Sequence, residues 1–286
     1  MNYTIKNEYL TAEINLYGGE LKSLVYNGKE YMLNDKKYWG YTSPYLFPVI
    51  GKLLDGYTVI EGNKYEIPKH GLVRNANFEL LEHKDDEISV ILKSNRQFKD
   101  LYPYEFSFII TYKVVEKKLH TFITVKNEDS KDMCFNLGLH PAFILEDHFE
   151  NYKIEFENKE SSDIPSVEGN GTINFLKTYK KFDSITELPL KYNDYEVDAL
   201  LFTNCASSSV KLLNKENKGI LFNFNDFPNV AFWTPNSLDA PFICIEPWIG
   251  YPSKSNDSHE FLNKDQLICV KSQDYAKFSY YFEIID

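Results

Sequence analysis

Apolar and polar positions alternate with period two over several long stretches of this chain. In residues 105–115 the side chains of Phe106, Phe108, Ile110, Tyr112 and Val114 share one face, which predicts a strand with one buried side. The pattern recurs at Leu119, Thr121, Ile123 and Val125, at Tyr152, Ile154 and Phe156, and at Phe278, Tyr280, Phe282 and Ile284. Between such runs Asn27-Gly28, Gly62-Asn63 and the segment 214–219 carry residues that accept positive φ cheaply, so they predict hairpin turns and antiparallel pairing. No stretch of convincing length has the helix period, and no repeat, low-complexity tract or linker divides the chain. Residues 159–196, richer in Lys, Asp, Ser and Pro, read as long loops. The prediction is an all-β protein, one domain over residues 1–286, built as a large antiparallel β-sandwich of two packed sheets. A closed barrel is the structural alternative.

Composition narrows the range of partners. The 286 residues are 43% hydrophobic and 16% aromatic, with 21 Phe and 21 Tyr; this favours strands and is ample for a core without staples. A net charge of −11, with Arg74 and Arg96 as the only arginines, argues against an extended basic surface for nucleic acid or an anionic membrane. Cys134, Cys205, Cys244 and Cys269 stand singly without C-x-x-C spacing, so they read as reduced thiols of a cytoplasmic protein. The start of the chain has no basic segment leading into an apolar run, and no stretch reaches the roughly 18 apolar residues of a membrane span.

Chemistry is expected where titratable residues interrupt apolar β segments, because burying them is costly without compensation. Three places qualify. In Pro68-Lys69-His70-Gly71-Leu72-Val73-Arg74-Asn75, a His and an Arg four residues apart flank a glycine. In Leu137-Gly138-Leu139-His140-Pro141-Ala142-Phe143, a lone histidine sits among apolar neighbours. In Ile243-Cys244-Ile245-Glu246-Pro247-Trp248, a carboxylate lies in an apolar strand end. Each alone reads equally as structure: a hydrogen-bonded core histidine, or a glutamate closing a strand. A metal set from His140, Glu146, Asp147 and His148 matches no familiar ligand spacing, so no metal is expected. No G-x-S-x-G, Walker loop or dinucleotide fingerprint is present, which leaves cofactor-free chemistry.

Taken together, HGLVRN (70–75), GLHPAF (138–143) and FICIEPWIG (242–250) resemble, in order and spacing, the aldose 1-epimerase or galactose mutarotase-like family. The similarity extends to YGGELKSLVYNGKEYM (17–32) and FPVIGKL (47–53), and is greatest to the galactose mutarotase-related and hexose-phosphate mutarotase-like branch. The resemblance implies a galactose mutarotase-like supersandwich with a sugar cleft on one concave sheet, no metal and no organic cofactor. It implies Glu246 as general base on the anomeric hydroxyl and His140 as general acid on the ring oxygen. His70, Arg74, Asp198 and Trp233 would bind the sugar. Lys52 would stand where better-known members carry arginine, as a point charge without a planar fork.

The expected partner is a small-molecule hexose, for a monomer or homodimer that binds neither nucleic acid nor membrane. A hexose phosphate is weakened by the lack of arginine in Tyr41-Thr42-Ser43-Pro44-Tyr45, although Arg74, Lys52 and Lys69 together could hold a phosphate. Two alternatives from other classes remain open: a non-catalytic carbohydrate-binding or sugar-sensing protein on the same fold, and a glycoside hydrolase, which would require a second carboxylate facing Glu246. On acid–base grounds, apolar neighbours should raise the Glu246 pKa, and a nearby carboxylate should favour protonated His140.

Overall fold

The alternation in 105–115 is realised as strand Phe106–Val115, with Phe106, Phe108, Ile110, Tyr112 and Val114 all buried. In the neighbouring strand Lys118–Asn127 the same holds for Leu119, Thr121, Ile123 and Val125. The structure, a computed structural model, describes residues 1–235 and 239–286. It is 52% strand and 7% helix, an all-β protein.

Nine antiparallel strands form the larger sheet. It runs from Ile173–Pro189 at one edge, through Lys153–Val167, Ser209–Leu213, Gly219–Asn223, Tyr275–Ile285, Lys118–Asn127, Phe106–Val115 and Glu87–Lys93, to Glu79–His83 at the other. The two edges do not meet, so the sheet is open and the barrel alternative falls. A second sheet comprises Leu200–Phe202, Asn229–Trp233, Phe242–Ile249, Leu137–Leu139 and Tyr45–Leu46, with Ala142–Ile144 also on Phe242–Ile249. The two sheets face each other through aromatic rings. Phe143 meets Phe222 and Phe282, Phe232 meets Phe156, and Phe47 meets Phe106 and Phe108. Tyr45 brings a hydroxyl into this dry layer, where it bonds Tyr112 Oη at 2.7 Å and Tyr280 Oη at 2.8 Å. Tyr112 Oη in turn donates to the Gly19 carbonyl at 2.8 Å, so the buried oxygens are satisfied as burial requires.

Two expectations are corrected by the structure. Much of 159–196 is not loop but hairpin, Lys153–Val167 paired with Ile173–Pro189 through several register shifts. Most of its second strand is exposed on both faces, so no core imposes a one-sided alternation on it. The four cysteines are not all thiols: Cys134 and Cys269 are joined by a disulfide. They face each other across the antiparallel pair Met133–Phe135 and Ile268–Val270 with Cα atoms 4.1 Å apart, a juxtaposition invisible at a separation of 135 residues. The cysteine argument for a reducing compartment falls with it. Among the described residues no helix is long and apolar enough to cross a membrane.

The turn end of that hairpin is tied to the rest of the sandwich by a small polar junction. Ser253 N–H donates to the Lys52 carbonyl, and Ser253 O accepts from Ile173 N–H. Buried Lys264 donates from Nζ to Ser253 Oγ at 3.0 Å. Burial lowers the Lys264 pKa to about 8, against the pull of Asp257 and Asp265. A folded-state value below the ordinary lysine range means that the native state releases this proton before the unfolded chain does. The cost of burying the charge is therefore full below pH 8 and is relieved as pH rises from there to the ordinary range. Isotope-edited NMR should find one lysine titrating near pH 8, absent in Lys264→Met. That variant should be more stable than the parent at neutral pH by about 1–2 kcal/mol, the relieved desolvation less one lost hydrogen bond, with the gain shrinking in alkali.

Candidate active site

Period two in the smaller sheet sorts its side chains into core and cleft. Along Phe242–Ile249, Ile243 and Ile245 enter the core between the sheets, whereas Phe242, Cys244, Glu246 and Trp248 emerge on the other face. Along Asn229–Trp233, Val230 and Phe232 are core while Ala231 and Trp233 share the face of Glu246. In 137–143 the core residues are Leu137, Leu139 and Phe143, so His140 is delivered to that face as well. The outer face of this sheet floors a cleft of about 480 Å³, a size suited to a small organic ligand.

Into this cleft the structure brings His70, Arg74, His140, Asp198, Trp233 and Glu246. His140 Nε2 lies 3.0 Å from Glu246 Oε2, and both residues are almost fully buried, at 7% and 2% exposure. His140 is held by its backbone N–H to the Pro44 carbonyl and by Trp39, whose ring stacks on the imidazole at 4.6 Å. Its Nδ1 has no hydrogen-bond partner among the described residues. His70, in edge contact with His140 at 5.5 Å, accepts the Gly51 N–H at Nδ1 over 3.1 Å. In the neutral ring that bond leaves the hydrogen on Nε2 as a donor.

Electrostatics makes the pair unusual. Burial raises Glu246 well above the ordinary carboxylate range, with the nearby Asp198 charge adding to it and Lys69 opposing. His140 is pushed well below its ordinary value by burial, then by the Lys69 and Arg74 charges, and His70 falls likewise by burial and by His140. The expected upward shift of Glu246 is thus present. His140 moves down and not up as expected, because burial, then the Lys69 and Arg74 charges, act on it. Both shifts disfavour the charged forms, and the two groups titrate as a pair across the 3.0 Å contact. Asp198 opens to the cleft from a backbone with φ of 120°. The cleft walls raise its pKa by desolvation, with Lys69 and Lys52 opposing.

Some positions differ from expectation. Lys52 does not line this cleft: it is exposed, lies along Gly171, and borders an adjoining cavity with Lys69. Glu146, Asp147 and His148 surround a separate depression away from His140, and Glu146 pairs with Lys29, so the four-residue metal set is not assembled. His140 and Glu246 are in contact, so a ligand in the cleft lies against the pair and not between its two members. Sequence reasoning missed Trp39 and gave Trp248 no role, yet all three tryptophans of the chain line the cleft. Their scarcity was the available signal, since indole faces are preferred surfaces for apolar stacking with a polar edge.

The sequence model of the aldose 1-epimerase family matches residues 1–279. The chain belongs to that family. Protein LacX from the Lactococcus lactis subsp. lactis plasmid is 31% identical over 300 residues, covering all of both chains. Among solved structures, a galactose mutarotase-related enzyme from Lactobacillus acidophilus superposes with a TM-score of 0.94 at 23% identity, over 100% of this chain and 98% of that one. A galactose mutarotase-like protein from Lactobacillus casei gives 0.90 at 26% identity, over 99% of each. The fold is therefore that of galactose mutarotase-related proteins. Membership of the aldose 1-epimerase family supports a mutarotase-type function and a sugar as the small-molecule partner.

Proposed function

We propose that this aldose 1-epimerase family member interconverts the α and β anomers of a neutral hexose, with Glu246 and His140 as its acid–base pair. The observation that carries the reading is their 3.0 Å contact at the floor of the cleft. Opening a hemiacetal removes a proton from O1 and adds one to O5, and both oxygens are bonded to C1. The base and the acid must therefore stand side by side. In the carboxylate–imidazolium form Glu246 takes the O1 proton and His140 protonates O5 as the C1–O5 bond breaks. Rotation about C1–C2 and closure with the roles exchanged give the other anomer, and no covalent adduct forms. Asp198, His70 and Arg74 supply hydrogen bonds to the hydroxyls, and Trp39 and Trp233 supply apolar walls.

A second reading, a hexose 6-phosphate, is favoured by one observation: among the described residues Lys52, Lys69 and Arg74 form no ion pair. Polarimetry and saturation-transfer NMR across glucose, galactose and their 6-phosphates separate the two. We expect accelerated exchange of a neutral hexose, with no advantage for its 6-phosphate. Preference for the phosphate, together with a KM for it that rises about tenfold or more in Lys52→Gln, would replace the first reading by the second. No acceleration with any of the four sugars would remove both.

A further inference from the structure

Cys244 is fully buried, has no part in the proton transfers above, and lies beside them. It alternates with Glu246 along one strand, so both side chains emerge on the cleft face of the sheet, while His140 arrives from the segment paired alongside. One nitrogen of His140, the sulfur of Cys244 and one oxygen of Glu246 all lie within 4.8 Å of one another. Among the described residues this is the group of three potential metal ligands that the fold assembles, and it is not the set expected from the sequence.

We propose that His140, Cys244 and Glu246 form a binding site for one divalent cation of the zinc class, and that filling it switches the acid–base pair off. The donor set selects the cation. Imidazole nitrogen, thiolate sulfur and carboxylate oxygen form a mixed borderline set that suits Zn²⁺ or Co²⁺, whereas Mg²⁺ and Ca²⁺ require oxygen ligands. Charge balance favours the same ion, since a dication with one thiolate, one carboxylate and a neutral imidazole sums to zero in a region that is dry on its sheet side. Three protein ligands leave a further coordination position, and His140 and Glu246 both border the cleft, which gives the ion its entry path and a place for water. A bound ion occupies the imidazole and carboxylate lone pairs that proton transfer needs. Inhibition therefore rests on the mutarotase reading, whereas binding of the ion does not.

Cobalt titration of the full chain in chelator-free buffer tests the site directly. The chain has two free thiols, Cys205 and Cys244, so the thiolate-to-cobalt charge-transfer band can be assigned by substitution. We expect one equivalent of Co²⁺ to give that band with tetrahedral d–d transitions, and Zn²⁺ to displace both. Cys205→Ser should keep them. Cys244→Ser should lose the charge-transfer band and bind Zn²⁺ at least about tenfold more weakly; Cys244→Ala, which keeps the pocket apolar, serves where the serine variant does not fold. A missing band, or one that survives in the Cys244 variants, overturns the site. In the activity arm, Zn²⁺ should inhibit the parent in competition with sugar, while Cys244→Ser keeps basal anomer exchange and loses sensitivity by the same factor. Binding without inhibition overturns the switch alone. A protein without mutarotase activity sinks the functional reading, and the cobalt spectra still decide the site.

Discussion

Glu246→Gln and His140→Asn should each lower catalysed anomer exchange by about 10²–10⁴-fold, the usual worth of a well-placed general acid or base, and leave a folded protein. Glu246→Gln nearly conserves volume, and His140→Asn keeps a polar, shorter side chain at the edge of an existing cleft. Burial raises the Glu246 pKa and so disfavours its charged form, and the uncharged amide adds no desolvation cost of its own. The double variant should be little worse than either single one, since each residue works only through the other and such losses are far from additive. Sugar affinity, measured by saturation-transfer difference NMR, should survive in both. A carbohydrate-binding protein that merely retains the cleft predicts the opposite pattern, with no catalysed exchange to lose. A glycoside hydrolase predicts cleavage of a glycosidic bond by the parent. Asp198 does supply a second carboxylate in the cleft, so that reading is tested with glycoside substrates in the same experiment. Exchange rates unaltered in both single variants would exclude the pair as the catalytic groups.

What was legible in the sequence follows from which forces act locally. Strands with one face in the core wrote their alternation plainly, as at Phe106 to Val114 and at Leu119 to Val125, because burial acts on every second residue. The Glu246 strand was legible for a related reason: a carboxylate between Ile245 and Trp248 is too costly to keep without a purpose. The hairpin in 153–189 was legible only where it begins, at Ile154 and Phe156; its second strand, largely exposed on both faces, needs no pattern. The Cys134–Cys269 link was hidden because it is a property of register between remote strands. The direction of the His140 shift was hidden for a different reason. The family resemblance sets a carboxylate beside it, but only three dimensions add the burial and the Lys69 and Arg74 charges that lower its pKa. Trp39 lies in a loop whose path no periodicity reports, yet it stacks on the His140 imidazole.

Gly71→Ala should cost far more than Gly28→Ala, although the two glycines have the same φ of 78°. That conformation alone penalises a side chain by about 1–2 kcal/mol, and at Gly28, in an open hairpin turn, a Cβ would meet nothing within 4 Å. At Gly71 a Cβ would lie 1.9 Å from the Phe47 carbonyl oxygen and 2.8 Å from Pro48 N. That carbonyl accepts the Leu72 N–H at 2.7 Å, so the backbone cannot withdraw without breaking the bond that joins the two segments. Overpacking of about 1–3 kcal/mol and a lost hydrogen bond of about 1 kcal/mol add to the conformational term. Thermal and urea unfolding should place Gly71→Ala about 2–4 kcal/mol below Gly28→Ala. The functional consequence is local: His70 precedes Gly71, and its ring is fixed by the Gly51 N–H, within the same pair of segments. Displacing Gly71 moves that imidazole relative to His140, so kcat/KM for anomer exchange should fall in Gly71→Ala at temperatures where it remains folded, and stay at the parental value in Gly28→Ala. Equal stability losses in the two variants would show that the approach of the two backbones is not what this glycine serves.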